Sequence, residues 1–441
     1  MATRRQLIGL SLAGAGAFAA RHVLGRDTAL APLRADDPWA AVRAGFDFSD
    51  APVLRIPMNA ANLAPPWRAV RLRVAEAAAQ LDADPSFHHR DLFHGVERRR
   101  AKELLAASLG VAAPDDVALV RNTSEANSIV VQGLDLRADD EVVIWDENHH
   151  SNNRSWGYRR ERAPFVLRVV RLPEPVRGVA DIVDAFVAQL SARTRVVAFS
   201  AISNISGLRL PVAELCAAIR AQRPDVFIHV DGAQSWGATV LDLARIGCDA
   251  YSASAHKWLC GPRELGILYV RRESATRLWP TTLGYDFAFE YPEERLPDSA
   301  LRFECLGQRH DAAVAGLVTA LEHHQALGVA RIEQRIGELA RQLRGMLADS
   351  GLRVLGAEDP ALNHGVVVAE VGEGNSAFAI FRALYEQHRI SAAFVHRNRI
   401  LGSREQLDAR ADQLRLRLCP HIYNTPDDLE RAVAAIRAAI T

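Results

Sequence analysis

The chain has 441 residues, of which 49% are hydrophobic and 24% charged, and its 53 basic and 53 acidic residues give a formal net charge of zero. This composition is typical of a soluble globular protein with an ample core, divided into about three domains of roughly 150 residues or into fewer, larger α/β units. The charge balance does not favour nucleic acid or an anionic membrane as a partner, and the five scattered cysteines, without a CxxC pair, support neither a zinc knuckle nor a disulfide framework.

The N-terminus predicts an export signal. Arg4 and Arg5 precede a mildly apolar run over residues 9–20, which is too short to span a bilayer. The pattern resembles a twin-arginine signal peptide, and Ala29-Leu30-Ala31 matches an A-x-A cleavage site. We therefore expect residues 1–31 to be a signal peptide and the mature protein to be periplasmic or otherwise exported. The alternative is a disordered leader that carries arginines.

The next segments predict an arm and two helices. Residues 32–65 are rich in proline, alanine and aspartate, which favours an irregular N-terminal arm. Helical patterns follow over 70–81 and 97–109, and the second stops at Gly110, a natural C-terminal cap.

From residue 117 the pattern changes to short apolar runs that alternate with helical stretches. The runs lie at 117–120, 142–145, 166–170, 196–199, 226–230, 250–252 and 266–270. Continuous apolar strands separated by helices predict an α/β fold with a mainly parallel seven-stranded sheet covered on both faces. A ligand is expected beyond the carboxyl ends of these strands.

A smaller C-terminal domain is predicted after the sheet. A long helical segment over 311–350 leads away from it, and the remaining residues alternate two or three strands with helices. We therefore expect a large α/β domain at 66–315 and a smaller α+β domain at 316–441.

Asp231 and Lys257 carry the strongest chemical signal. Asp231 follows the apolar strand at 226–230, where its carboxylate could hold a pyridinium proton; an ordinary helix N-cap is the alternative. Lys257 stands in a chain with very few lysines, and its amine could form an imine with an aldehyde; a surface lysine is the alternative. Pyridoxal phosphate (PLP) is the cofactor that needs both groups.

Other polar residues also follow strands. Thr123 and Ser124 open a helix whose N-terminus could cradle a phosphate, although the same residues could form a simple cap. Ser254 and His256 alternate at one strand end and could point together toward that phosphate. The adjacent histidines at 149–150 suggest a metal only weakly, since no third ligand is near; an imidazole stacked on a cofactor ring is favoured.

These motifs together resemble a known family. Val230-Asp231-Gly232-Ala233-Gln234 with Ser254-Ala255-His256-Lys257 resembles the class V aminotransferases, which are fold-type I PLP enzymes and include cysteine desulfurases and isopenicillin N epimerase. The similarity extends from about residue 59 to the C-terminus, and His256-Lys257-Trp258-Leu259 is closer to the epimerase branch.

The resemblance implies roles for the cofactor-binding residues. Lys257 would carry the internal aldimine and move the α-proton, while Asp231 would bind the pyridine nitrogen. Gln234 would bind the phenolic oxygen, and His149 would stack on the ring. Ser124, Ser254 and His256 would hold the phosphate, and Thr123 is expected to be a further cofactor-binding residue beside them.

It also implies a substrate site and a homodimer. Asn204 would lie beside cofactor and substrate, and Arg417 would grip the substrate α-carboxylate, for which a bidentate guanidinium is suited. Two departures from the family matter. The segment at 392–397 lacks the nucleophilic cysteine of desulfurases, so desulfurase activity is not expected. The family's Gly-Thr pair reads Gly307-Gln308, so Gln308 would have to replace threonine at the neighbouring subunit's cofactor.

The sequence thus predicts an exported PLP enzyme that removes the α-proton of an amino-acid-type substrate through Lys257. Transamination or a related conversion is favoured. Epimerisation of an amino acid or peptide is the alternative, and β-elimination is a lesser one, because the same lysine serves all three. A cofactor-free binding protein would be expected to lack Lys257 or Asp231.

Overall fold

The computed structural model describes residues 38–49, 55–284, 295–372, 375–396 and 414–440. The predicted signal peptide lies outside this range. The strands of the described residues are β1 (Ile56–Pro57), β2 (Val117–Val120), β3 (Glu141–Trp145), β4 (Val166–Val170), β5 (Thr194–Ser200), β6 (Phe227–Asp231), β7 (Ala250–Ser254), β8 (Gly266–Val270), β9 (Arg353–Val354), β10 (Val367–Glu370), β11 (Ile390–Ser391), β12 (Ala393–His396) and β13 (Leu414–Leu418).

The central sheet has seven strands in the order β2-β8-β7-β6-β5-β3-β4. The strands from β7 through β4 pair in parallel, whereas β8 is antiparallel to both of its neighbours. Since β8 alone is reversed, β2 runs in the same direction as the parallel strands. The predicted mainly parallel α/β sheet is therefore confirmed, and the carboxyl ends of β2, β3, β5, β6 and β7 meet at one edge.

Helices cover the sheet and build the rest of the molecule. They are α1 (Pro38–Ala44), α2 (Arg68–Ala83), α3 (Phe87–Phe93), α4 (Arg99–Leu109), α5 (Thr123–Gly133), α6 (His150–Arg162), α7 (Val179–Val187), α8 (Val212–Gln222), α9 (Leu243–Ile246), α10 (Ala312–Leu327), α11 (Val329–Ala348), α12 (Ala377–His388) and α13 (Pro426–Ala439). In the described part of the chain, no helix is long and apolar enough to cross a membrane.

Two expectations about helices need correction. The segment predicted as one long helix over 311–350 is two helices, α10 and α11, because Gly328 adopts a φ of +82° and interrupts the hydrogen-bond ladder. The helix predicted over 97–109 begins in a π-helical turn, His94–Arg98, before α4. Its predicted end is confirmed, since Gly110 has a φ of +65° and caps α4.

The N-terminal arm is more regular than predicted. It contains α1, a 3₁₀ turn at Asp47–Ser49 and β1, which pairs in parallel with β11 near the C-terminal end of the chain. The C-terminal region holds a second sheet, antiparallel, in the order β12-β13-β10-β9, on which α12 and α13 pack. The arm therefore joins the two ends of the sequence.

Helix α10 lies inside the molecule. Thirteen of its residues are buried. It crosses α2 closely, because Gly316 faces Val74, where an added Cβ would meet the valine Cγ2 at 2.4 Å. Helices α2 and α10 are therefore packed tightly against each other at this point.

Candidate active site

The polar residues predicted from strand ends gather at one edge of the central sheet. Thr123 begins α5 directly after β2, and His149 precedes α6 after β3. Asp231 is the last residue of β6, and Ser254 is the last of β7, three residues before Lys257. These four strands run in the same direction, so the arrangement follows from the topology.

Asp231 is held as a buried hydrogen-bond acceptor. It is 3% exposed, and its Oδ1 accepts from the backbone N–H of Ala233 at 3.0 Å while its Oδ2 accepts from Nδ2 of Asn127 at 2.9 Å. Burial raises the pKa of Asp231 above its ordinary value, and the hydrogen bonds and the charge of Lys257 act in the opposite direction. A cationic partner such as a pyridinium would offset the cost of burying this carboxylate.

The buried amine of Lys257 loses its proton more readily than an ordinary lysine. Burial lowers its pKa to about 8, with the Asp231 charge opposing the shift and the Arg417 charge adding to it. An amine must be unprotonated to attack an aldehyde carbon. The surroundings of Lys257 therefore favour the chemistry predicted for it.

The N-terminus of α5 forms a cluster of hydroxyl groups. The backbone N–H of Thr123 donates to Oγ of Ser254 at 2.7 Å, and the two hydroxyl oxygens lie 2.6 Å apart. The helix is capped by Asn122, whose side chain accepts from the backbone N–H of Glu125 at 3.0 Å. The alternative of a cap built on Thr123 and Ser124 is therefore wrong, and Ser124 is left exposed. Hydroxyl groups at a helix N-terminus suit a phosphate.

His256 lies two residues beyond Ser254. Burial, with a smaller contribution from the neighbouring Lys257 charge, lowers the pKa of His256 to about 4, so its imidazole is neutral at physiological pH. A neutral imidazole can offer one N–H to a phosphate oxygen.

Gln234 and His149 make contacts that sequence reasoning missed. The Gln234 amide donates to the carbonyl of Ala61 at 2.9 Å and accepts from the indole N–H of Trp258 at 2.7 Å. His149 is the N-cap of α6, with its Nδ1 2.7 Å from Oγ of Ser151. Both residues are thus fixed in place at the sheet edge by the protein. Within the described residues, no group of three histidine, cysteine or carboxylate side chains is placed to bind a metal.

Arg417 reaches the site from the second sheet. Its Nη1 donates to the carbonyl of Asn204 at 3.1 Å, and its Nη2 donates to Oδ1 of Asn59 at 3.2 Å. Its Nε is buried without a hydrogen-bond partner. The guanidinium also borders a cavity of about 530 Å³, whose lining includes Phe381 and Phe394. The two residues predicted for the substrate, Asn204 and Arg417, are therefore in direct contact.

Gln308 lies within the described residues, directly after Gly307. The backbone of Gly307 packs closely on Gly284. The predicted contact with a neighbouring subunit's cofactor stays a prediction.

Buried asparagines complete the site, and the sequence analysis did not single them out. Asn127 lies one helical turn after Thr123, which is the signal that could have revealed it. Asn152 is fully buried on α6 and lowers the pKa of Asp231, yet neither amide atom has a hydrogen-bond partner at normal geometry. Unsatisfied buried amide atoms are rare in folded proteins and are consistent with a ligand that completes the site.

Comparison with known proteins identifies the family. The model for aminotransferase class-V matches residues 77–431. The chain belongs to the class V aminotransferase family. Isopenicillin N epimerase of Streptomyces clavuligerus is 32% identical over 350 residues, which are 77% of this chain and 83% of that protein. A probable cysteine desulfurase of Pseudomonas aeruginosa is 31% identical over 76% of this chain and 81% of that protein.

A solved structure shows the same fold. A variant of C-DES with glycine covalently linked to its PLP cofactor superposes with a TM-score of 0.78 at 23% identity, covering 90% of this chain and 98% of that one. Membership of the class V family confirms the predictions of a fold-type I enzyme and of PLP as its cofactor. Epimerases and desulfurases match at similar identity, so the comparisons do not exclude cysteine desulfurase activity. The sequence argument against that activity was the cysteine missing from the segment at 392–397.

The described residues fit this cofactor. The buried carboxylate of Asp231 suits a pyridinium nitrogen, Lys257 suits the aldehyde, and the hydroxyls of Thr123 and Ser254 suit the phosphate. The guanidinium of Arg417, which borders the cavity, suits a carboxylate.

Proposed function

We propose that the chain is an exported PLP-dependent enzyme that removes the α-proton of an amino-acid substrate with Lys257 and returns it in a transamination or related conversion. The observation that carries the proposal is the position of Lys257, a lysine with a pKa of about 8 under the influence of both Asp231 and Arg417. When bound, the cofactor supplies an electron-withdrawing ring that weakens the bond to the α-proton.

Each residue of the site has a separate role in this reaction. Arg417 binds the substrate carboxylate where its guanidinium borders the cavity, and this fixes the α-carbon in relation to Lys257. Lys257, neutral in a useful fraction of molecules, accepts the proton at Nζ. Asp231 stays anionic and holds the pyridinium proton, and the hydroxyl cluster of Thr123 and Ser254 anchors the phosphate end. Transamination needs a single proton carrier, which Lys257 provides.

Epimerisation is a second candidate because the Streptomyces clavuligerus relative is named isopenicillin N epimerase. It requires a proton to reach the face of the α-carbon opposite Lys257. His149, the N-cap of α6 after the parallel strand β3, is the residue to test for that role.

Desulfuration is less favoured by the residues themselves. It requires a thiolate that can attack the substrate sulfur. All five cysteines are buried, and burial raises the pKa of Cys260 and Cys419. Cysteine nevertheless belongs among the substrates to be tested, because the Pseudomonas aeruginosa relative is a probable desulfurase.

Incubation with a panel of amino acids and peptides in deuterated water separates these reactions. A keto acid with the amine form of the cofactor indicates transamination. Inverted substrate with α-deuterium indicates epimerisation, and release of sulfide from cysteine indicates desulfuration. An absence of α-deuterium exchange with every substrate would overturn the proposal of α-proton removal.

The attachment residue can be tested separately. The chain has two lysines, Lys257 and Lys102, and the amine of Lys102 is bonded to the Glu304 carboxylate in the interior. Borohydride reduction of the holoenzyme should attach the cofactor to Lys257 and leave Lys102 unmodified. Attachment at Lys102 would refute the assignment.

Export is proposed from the leader alone. Twin-arginine export carries folded proteins, which suits an enzyme that binds its cofactor in the cytoplasm first. Replacing Arg4 and Arg5 by lysines should keep the protein in the cytoplasm, whereas the same change at Arg99 and Arg100 should not. Continued export of the first variant would remove this part of the proposal.

A further inference from the structure

A chain of buried hydrogen bonds runs from His229 to the cofactor aspartate. Nε2 of His229 lies 3.1 Å from Oγ of Ser252, and this hydroxyl donates to Oδ1 of Asn127 at 2.5 Å. Nδ2 of Asn127 donates to Oδ2 of Asp231 at 2.9 Å. None of the four side chains is more than 3% exposed. This series of hydrogen bonds is therefore shielded from water along its whole length.

The sheet brings these residues together. His229 and Asp231 are two residues apart on β6, so their side chains leave the same face. Ser252 is the register partner of Asp231 on β7, and Asn127 lies on α5, which covers this face. The arrangement depends on backbone register rather than on flexible loops.

The direction of each hydrogen bond in this series follows from the two end groups, Asp231 and His229. An ionised Asp231 can only accept, so the Asn127 amide nitrogen must face it and the amide oxygen must face Ser252. The Ser252 proton then goes to that oxygen, and the serine oxygen accepts from Nε2–H of His229. This order leaves the opposite ring nitrogen, Nδ1, without a proton.

The surroundings of His229 agree with that order. Its Nδ1 is buried without a hydrogen-bond partner, a position where a proton would be an unsatisfied donor. Burial lowers the pKa of His229 to about 3, so the ring remains neutral under all physiological conditions. The imidazole is thus a permanent single donor aimed at Ser252.

We propose that His229, Ser252 and Asn127 act as a positioning relay that keeps Asp231 ionised and oriented, and so sets how strongly the site holds the proton on the pyridine nitrogen. This inference rests on the cofactor site of the proposed function, but not on which reaction the enzyme catalyses. The three residues touch neither cofactor nor substrate in this account, since they act through Asp231.

The relay can be tested with two cofactors that differ at one atom. Pyridoxal phosphate and its 1-deaza analogue, with C–H in place of the ring nitrogen, differ only in the group that faces Asp231. The ratio of their dissociation constants from the full-length protein measures the strength of that contact. His229→Leu and Ser252→Ala should each lower the preference for pyridoxal phosphate about fivefold, the equivalent of about 1 kcal/mol for one hydrogen bond.

Matched variants separate positioning from structure. His229→Gln keeps an N–H near the position of Nε2 and should restore most of the preference. His364→Leu removes another buried imidazole, whose Nε2 instead contacts the carbonyl of Ala238, and should leave the preference unchanged. Thermal unfolding of each variant without cofactor reports any general loss of folding.

The outcomes distinguish the two proposals. If His229→Leu and Ser252→Ala weaken both cofactors by the same factor, or affect neither, the relay is overturned while the site assignment stands. If the wild-type protein itself does not prefer pyridoxal phosphate, Asp231 does not hold the ring nitrogen, and the site assignment fails with the relay.

Discussion

The pKa of Lys257 leads to a quantitative prediction. At pH 7 an amine with its ordinary pKa of 10.5 is neutral in roughly one molecule in 3,000, whereas a pKa of about 8 makes roughly one in ten neutral. Burial therefore raises the reactive fraction of Lys257 by roughly 300-fold. We expect its reactivity to rise with pH and to level off above about pH 8.

Competitive acylation of the cofactor-free protein, with the modified peptides measured by mass spectrometry, reports this pKa. The positive charge of Arg417 contributes to the low value, so Arg417→Gln should move the inflection to higher pH. Arg415 lies two residues earlier on β13 but pairs with Glu370, so Arg415→Gln should leave the inflection in place. An inflection near pH 10 in the wild type, or equal shifts in the two variants, would refute the reasoning.

Three further predictions concern substrate binding and stability. Arg417→Ala should raise the KM of a carboxylate substrate about 10- to 100-fold, the worth of a charged hydrogen bond, with no comparable change in the cofactor Kd; equal effects on both would contradict its role. Glu304→Gln should lower the free energy of unfolding in urea by about 3 kcal/mol, because it leaves Lys102 buried without its carboxylate; a loss below about 1 kcal/mol would show that the pair is not buried as described. Gly316→Ala should cost about 1–3 kcal/mol through overpacking against Val74, and Val74→Ala in the same chain should recover part of it.

The sequence predicts the sheet well because its strands are mainly apolar, although β4 contains Arg168 and is only partly buried. The runs at 117–120, 166–170 and 266–270 have the same bounds as β2, β4 and β8. Strands buried on both faces carry a strong signal that depends little on distant residues. The same reasoning placed Asp231 and Lys257 at the ligand edge, because direction and order alone decide where parallel strands end.

The contacts of side chains were harder to predict because their partners are distant in sequence. Gln234 binds the carbonyl of Ala61, 173 residues away, and Arg417 binds the carbonyl of Asn204, 213 residues away. No local pattern encodes such pairs. The break at Gly328 was also missed, since one glycine inside a helical pattern is compatible with a continuous helix.

Several contacts of the N-terminal arm can form only late in the synthesis of the chain. Asn59 and Ala61 lie in the N-terminal arm, yet they bind Arg417 and Gln234, and β1 pairs with β11 at residues 390–391. The arm leaves the ribosome first but has no complete docking surface until translation is nearly finished. A chain that ends before β11 and β13 can therefore form the central sheet but lacks Arg417 and its contacts with Asn59 and Asn204. Premature termination late in the gene should thus yield a folded central sheet with an unfinished active site.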